Sequence, residues 1–409
     1  MLFKNATLCD YQGIREGDLR AENGVITQIG SLSAKNNEEV IDLQNKLLLP
    51  AMIDLNVSPK SLSLCVKNLL SLAQKALKGG IGSMLLYPHT TPACNESGTI
   101  ELIKSLNAQS PIHLLPAISP INAEHKLIDV STLHSSGGRA IFARSDMNAH
   151  TLISIAQYAQ MLDIPLICFC QDKTLSEGVM NEGLLSASLG LPSIPAYSQT
   201  KEVAKIAEML KDFPIKLIFD TLTYPRSLEI LHHFKDSYPM QAAFFAQSSI
   251  HHLILNESLC EGYNTAAKIN PPLVDETQRA QMLKDLEHNK IQLLTSLQCA
   301  DFKSKKDQVF ELASFGIDAL EVYFSLLYTY LYKEHNIPLE LISKLTSYMP
   351  AQILKLNKGA LNEGKIAELI IVDPKAHFYF NDNFSPYNGH KLYAKVEALL
   401  SHQTLHYLP

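Results

Sequence analysis

Between residues 51 and 295, short apolar runs return at a regular interval. They lie at 51–57, 82–87, 112–116, 140–143, 165–170, 215–219, 242–246 and 291–295. Each is too short for a helix and apolar enough for a strand buried on both faces. Between most of them lie stretches with apolar residues at helical spacing: 62–77, 100–106, 152–162, 200–210 and 227–234. Eight such alternations over roughly 250 residues predict an α/β fold, a (β/α)8 TIM barrel with its site at the C-terminal ends of the strands. Two longer amphipathic stretches follow, 315–332 and 339–354. Pro338 stands just before the second, where proline suits a helix start.

The ends of the chain have a different pattern. Residues 2–9, 24–30 and 40–43 read as short strands between turns, too few to bury a core alone. At 359–373 a turn leads into a wholly apolar strand, a natural partner for them. The expected organisation is a small β-domain of residues 1–50 plus 357–409 and a barrel over 51–356.

Composition narrows the class. The 409 residues are 46% hydrophobic and 19% charged, with a net charge of −6. A large core is therefore affordable, and no Lys/Arg run suggests a nucleic-acid or lipid-binding surface. No apolar run is long enough to span a membrane, and the first residues lack the apolar segment of a signal peptide. The seven cysteines are scattered, without a C-x-x-C pair. They predict buried thiols in a reduced, cytoplasmic protein.

Residues 47–60, Leu-Leu-Leu-Pro-Ala-Met-Ile-Asp-Leu-Asn-Val-Ser-Pro-Lys, resemble the first barrel strand of the cyclic amidohydrolases, most closely of bacterial dihydroorotases. In that family a Pro-Gly-x-Ile-Asp-x-His-x-His run ends in two metal-binding histidines. Further runs resemble dihydroorotase text in the same order. They include Gly-Gly-Ile-Gly-Ser at 79–83, Tyr-Pro-His-Thr-Thr-Pro at 87–92, Gly-Val-Met-Asn-Glu-Gly at 178–183 and Ile-Asn-Pro-Pro-Leu at 269–273. The resemblance covers nearly the whole chain. It implies a barrel with both chain ends joined in one β-domain. It also implies a family chemistry in which two zinc ions make hydroxide and polarise a cyclic amide.

The residues that should carry that chemistry differ. Asn56 and Ser58 stand at the two strand-one histidines, and both are poor zinc ligands. On strand four the metal position falls on Ser145, with Asp146 one residue late. On strand five Phe169 replaces a histidine; on strand six Asp220 does. On strand eight Ser296 replaces the Asp that serves as general base, and a serine does not shuttle protons at neutral pH. At the substrate-binding positions Lys60 replaces an Arg, His89 an Asn and Val274 an Arg; Asn270 alone is retained. No catalytic residue, metal ligand or cofactor is therefore expected.

Other features have plainer readings. His232 and His233 read as solvated helix surface, and His251 and His252 as structural. His402 and His406 lie in strand-like text. Cys168 and Cys170 share one face of a strand as buried thiols, and Asp54 reads as structural. The resemblance implies a non-catalytic homologue in pyrimidine biosynthesis. It would act as a structural or regulatory subunit of aspartate transcarbamoylase in a homo- or hetero-oligomer, with Phe384, Tyr387 and Tyr393 as anchors if exposed. Two other readings stand beside it. One is an amidohydrolase of altered chemistry using Asp220, His89 and Asp146. The other is a small-molecule sensor with a pocket around Lys60, His89 and Asn270. A mouth filled around Phe169 would favour the first reading; an open polar one would favour the others.

Overall fold

The computed structural model describes residues 1–408. Eight parallel strands form the central barrel: β1 Met52–Ser58, β2 Ile81–Leu86, β3 His113–Ile118, β4 Ala140–Arg144, β5 Leu166–Phe169, β6 Lys216–Asp220, β7 Ala243–Ser249 and β8. The last is broken into Leu293–Thr295 and Gln298–Cys299. Its first piece pairs with β7 (Ser248 opposite Leu294) and its second with β1 (Gln298 opposite Val57), which closes the ring. Leu297, at φ 46°, turns the chain between the pieces.

The period-2 geometry of strands sorts the apolar runs into two layers. Ile53, Leu55, Leu85, Leu115, Ala140, Phe142, Ile167, Phe169 and Ile218 form the plug inside the barrel. The alternate positions, such as Met84, Leu114, Ile141, Leu166 and Leu217, pack outward under the helices. A register shift between Asp54 and Val57 interrupts the β1 ladder next to Asn56. Such irregularities re-aim side chains near sites.

A second sheet joins the chain ends. Its order is Thr404–Tyr407, Lys391–Ser401, Leu369–Tyr379, Leu47–Pro50, Leu2–Asp10, Gly13–Glu22 and Val25–Gly30, with Val40–Asp42 beside Leu2–Asp10. It has its own core, including Phe3, Leu8, Leu19, Leu48, Leu369 and Leu400. The buried pair Lys358–Glu368 (2.9 Å) ties this sheet to Ser83 of β2, whose hydroxyl donates to Glu368 at 3.0 Å. Both partners of the pair are buried and further hydrogen-bonded, as a buried charge requires.

Several expectations need correction. The helix expected over 315–332 forms only from Leu320 and runs on to Glu334, because Phe315 and Gly316 belong to the barrel mouth. The first barrel helix is Val66–Lys78 rather than 62–77, since Leu62 has φ 53°. Helices Val130–Ser136 and Glu276–Glu287 carry little apolar periodicity and were not anticipated. The stretch 339–354 is helical from Leu339 to Ile353, with wider turns over Lys344–Tyr348. Five cysteines are buried, but Cys65 is exposed and Cys299 half-buried. Tyr387 cannot be an anchor: it is fully buried, with its hydroxyl 2.6 Å from His251 Nδ1. Phe384 and Tyr393 are partly buried, with Lys303 over the first ring and Lys333 over the second. Among the described residues no helix is long and apolar enough to cross a membrane.

Candidate functional site

A cavity of about 230 Å³ opens at the C-terminal ends of the strands. It is smaller than the roughly 300–1,000 Å³ of most ligand pockets. Asn56, Ser58, Phe169 and Asp220 line it from the strand ends, and Asn270 from the loop after the turn Thr265–Ala267. So do Tyr87, Arg144, Leu297, Cys299 and Phe315. Apolar side chains narrow the mouth around Phe169 without filling it.

Asp220 is the one carboxylate on the cavity wall, and its Oδ1 accepts three hydrogen bonds. Asn56 Nδ2 donates at 2.9 Å, Gln247 Nε2 at 2.6 Å and Thr221 Oγ1 at 2.8 Å. Burial pushes its pKa up, and the three donors oppose that shift. Below it, Asp54 accepts from the backbone N–H of Asn56 and of Ser296, each at 3.0 Å. Burial raises the Asp54 pKa to about 6. Asp54 thus pins the break in β8 to the bulge in β1, which bears out the structural reading of that residue.

The donor set does not fit zinc. Zinc needs His nitrogen, thiolate or carboxylate at about 2.0–2.3 Å. Here Oδ1 of Asp220 is taken by three N–H and O–H donors, Phe169 offers carbon, and Arg144 brings a fixed positive charge. Among the described residues no three His, Cys, Asp or Glu side chains converge as a metal site would require.

Strand parity corrects one position. Phe142 points into the barrel, so Arg144 reaches the mouth, with its guanidinium 5.2 Å from the Phe169 ring centre. Ser145 falls on the opposite face and is fully buried; its Oγ accepts from the Gln171 N–H at 3.2 Å. Counting by twos from Phe142 would have found Arg144. Gln247 was hidden inside the apolar run of β7, where a lone amide gives no signal.

The remaining predicted residues do not gather. Lys60 is exposed, with its ammonium over the Phe302 ring at 4.7 Å. Val274 is buried away from the mouth. His89 lies in a neighbouring cavity with Asp146, its ring against Phe142 at 5.3 Å. Asn270 exchanges two amide hydrogen bonds with Gln171, at 3.2 and 3.3 Å. Lys60, His89 and Asn270 therefore share no pocket. Asp220, His89 and Asp146 lie in two cavities separated by Arg144.

The fold and the strand-end site define a member of the amidohydrolase class. Residues 247–398 match the amidohydrolase family model, and residues 45–212 match the dihydro-orotase-like model. A probable dihydroorotase-like protein of Helicobacter pylori is 30% identical over 401 residues, covering 98% of this chain and 96% of its own. A dihydroorotase of Ruminiclostridium cellulolyticum is 28% identical, covering 97% and 96%. The L-hydantoinase (dihydropyrimidinase) of Arthrobacter aurescens shares the fold, with a TM-score of 0.86 at 17% identity over 99% of this chain and 95% of its own. The chain belongs to the dihydroorotase-like family of the amidohydrolase superfamily.

Proposed function

We propose that this chain is a non-catalytic dihydroorotase homologue of pyrimidine biosynthesis, a structural or regulatory subunit that binds aspartate transcarbamoylase. One observation carries the non-catalytic half: Asn56, Ser58 and Phe169 stand at family ligand positions in the mouth, and Asp220, the single carboxylate there, has its Oδ1 held by the side chains of Asn56, Thr221 and Gln247. With Phe169 and Ser296 at two further family positions, a third metal ligand and the family's strand-eight base are replaced as well. The partner half rests on the family resemblance. In its support, Leu184 (93% exposed) and Leu312 (74%) stand on the segments that follow β5 and β8, where a docking protein could cover them.

Metal content tests the non-catalytic half. Protein purified without chelator is expected to hold far less than one zinc per chain by elemental analysis. Adding zinc or EDTA should leave Tm unchanged, because a ligand that binds only the folded state must raise it. Phe169→His alone should not recover zinc binding, since Asn56, Ser58 and Ser296 remain. Two zinc ions per chain would refute this half.

A further inference from the structure

Beside the mouth lies a second cavity of about 520 Å³, which shares only Arg144 with the first. Its wall carries Arg144, Lys173, His125, His89, Asn148 and Thr151. The Arg144 guanidinium donates from Nε to Asp146 Oδ1 at 3.2 Å and also lies against the Tyr87 hydroxyl. Of its five N–H groups, Asp146 and Tyr87 take at most two, which leaves donors of the fork for an oxyanion. Lys173 is exposed, and the carboxylate next to it, Asp172, is engaged by Lys201 instead. One carboxylate, Asp146, therefore faces two cations. His89 adds a hydrogen-bonding group without adding charge: burial, with Arg144 nearby, lowers its pKa to about 4. Its Nε2 is buried and has no hydrogen-bond partner among the described residues. Such an orphan is costly, and beside the Arg144 guanidinium it marks a place for a further polar group. Asn148 caps the helix Ala149–Leu162 by accepting from the His150 N–H at 2.9 Å, so the positive end of that helix borders the same space.

We infer that this second cavity is a binding site for a small oxyanion, a phosphate or a carboxylate, held by the fork of Arg144 with Lys173 closing over it. The site goes beyond the proposed scaffold role and needs neither metal nor turnover. It is also independent of Lys60 and Asn270, so it is not the pocket expected from the sequence.

Calorimetric titration of the full chain with inorganic phosphate and, separately, with succinate tests it. One of the two should bind saturably at one site, and which one does so identifies the ligand chemistry. Arg144→Gln should weaken that binding at least about tenfold, Arg144→Lys less, and Lys173→Gln several-fold, as charge-assisted bonds to an anion imply. Lys375→Gln, an exposed position on the strand Leu369–Tyr379 of the small sheet, should leave it unchanged. Lys173 is exposed, so its variant reads the site even if an Arg144 variant folds poorly. Absence of saturable binding for both anions would overturn the inference. So would binding that Arg144→Lys and Lys173→Gln leave intact.

Discussion

Offered dihydroorotate or carbamoyl aspartate, the purified protein is expected to turn over neither. The reaction needs a strong nucleophile at neutral pH and a group to move its proton. A zinc-bound water supplies the first by lowering a pKa of 15.7 to about 7. A positioned base supplies the second and is typically worth about 10²–10⁴ in rate. Here the mouth offers Asn56, Ser58 and Phe169 at family positions, Ser296 is buried beside it, and Oδ1 of the one wall carboxylate accepts from Asn56, Thr221 and Gln247. Loss of both contributions puts the expected rate at least about 10⁴-fold below an intact enzyme. The assay should use protein from a host lacking its own dihydroorotase. Steady turnover that follows the protein through every purification step would contradict the expectation.

The second large effect is on acid stability. His251 and His252 have no exposed surface, and burial lowers their pKa values to about 3 and about 4. His252 donates from Nε2 to the Pro271 carbonyl at 2.8 Å, which leaves Nδ1 to accept from the Ser249 hydroxyl at 2.7 Å. Both histidines fold neutral, whereas in the unfolded chain they titrate near 6.5. The unfolded state thus binds more protons below pH 6.5, and stability falls as pH drops toward 4. At pH 5 each costs about 2 kcal/mol relative to pH 7 and above. Asp54, raised to about 6, acts in the opposite sense, because the folded state holds its proton over that window. It returns about 1 kcal/mol. The net loss should lower Tm by on the order of 5 °C between pH 7 and pH 5. The slope of Tm against pH, rather than Tm itself, is the readout. It should shrink in His252→Gln, and a flat profile in the unsubstituted protein would show that these histidines are not held neutral.

The barrel was legible because its strands are uniformly apolar and short, and each of the eight runs contains or overlaps an observed strand. The helices that were missed, Val130–Ser136 and Glu276–Glu287, are polar enough that their periodicity is weak. Their starts are instead set by Asp129 and Asp275, which accept from backbone N–H groups of the first turn. The mouth was legible where a family motif fixed the position, as at Asn56, Phe169 and Asp220. It was not legible at Arg144, where motif spacing indicated Ser145 and only the in–out alternation of β4 decides. Nor was it legible for His89 and Lys60. Their sequence positions follow the family, but the structure places His89 behind Arg144 and Lys60 in solvent. Exposed Leu184 and Leu312 had no periodic signal, because a single apolar residue at the start of a short helix or in a turn reads the same whether covered or bare.

Co-expression with the aspartate transcarbamoylase of the same organism, followed by measurement of the mass of the eluted species, tests the scaffold role most directly. A stable complex needs about 1,200–2,000 Å² of buried surface in total, which a barrel of this size can supply. The expected result is a single species that contains both chains at micromolar concentration, with transcarbamoylase activity that differs from that of the free enzyme. Elution of the transcarbamoylase at its own mass, with unchanged activity in the presence of this chain, would contradict the account.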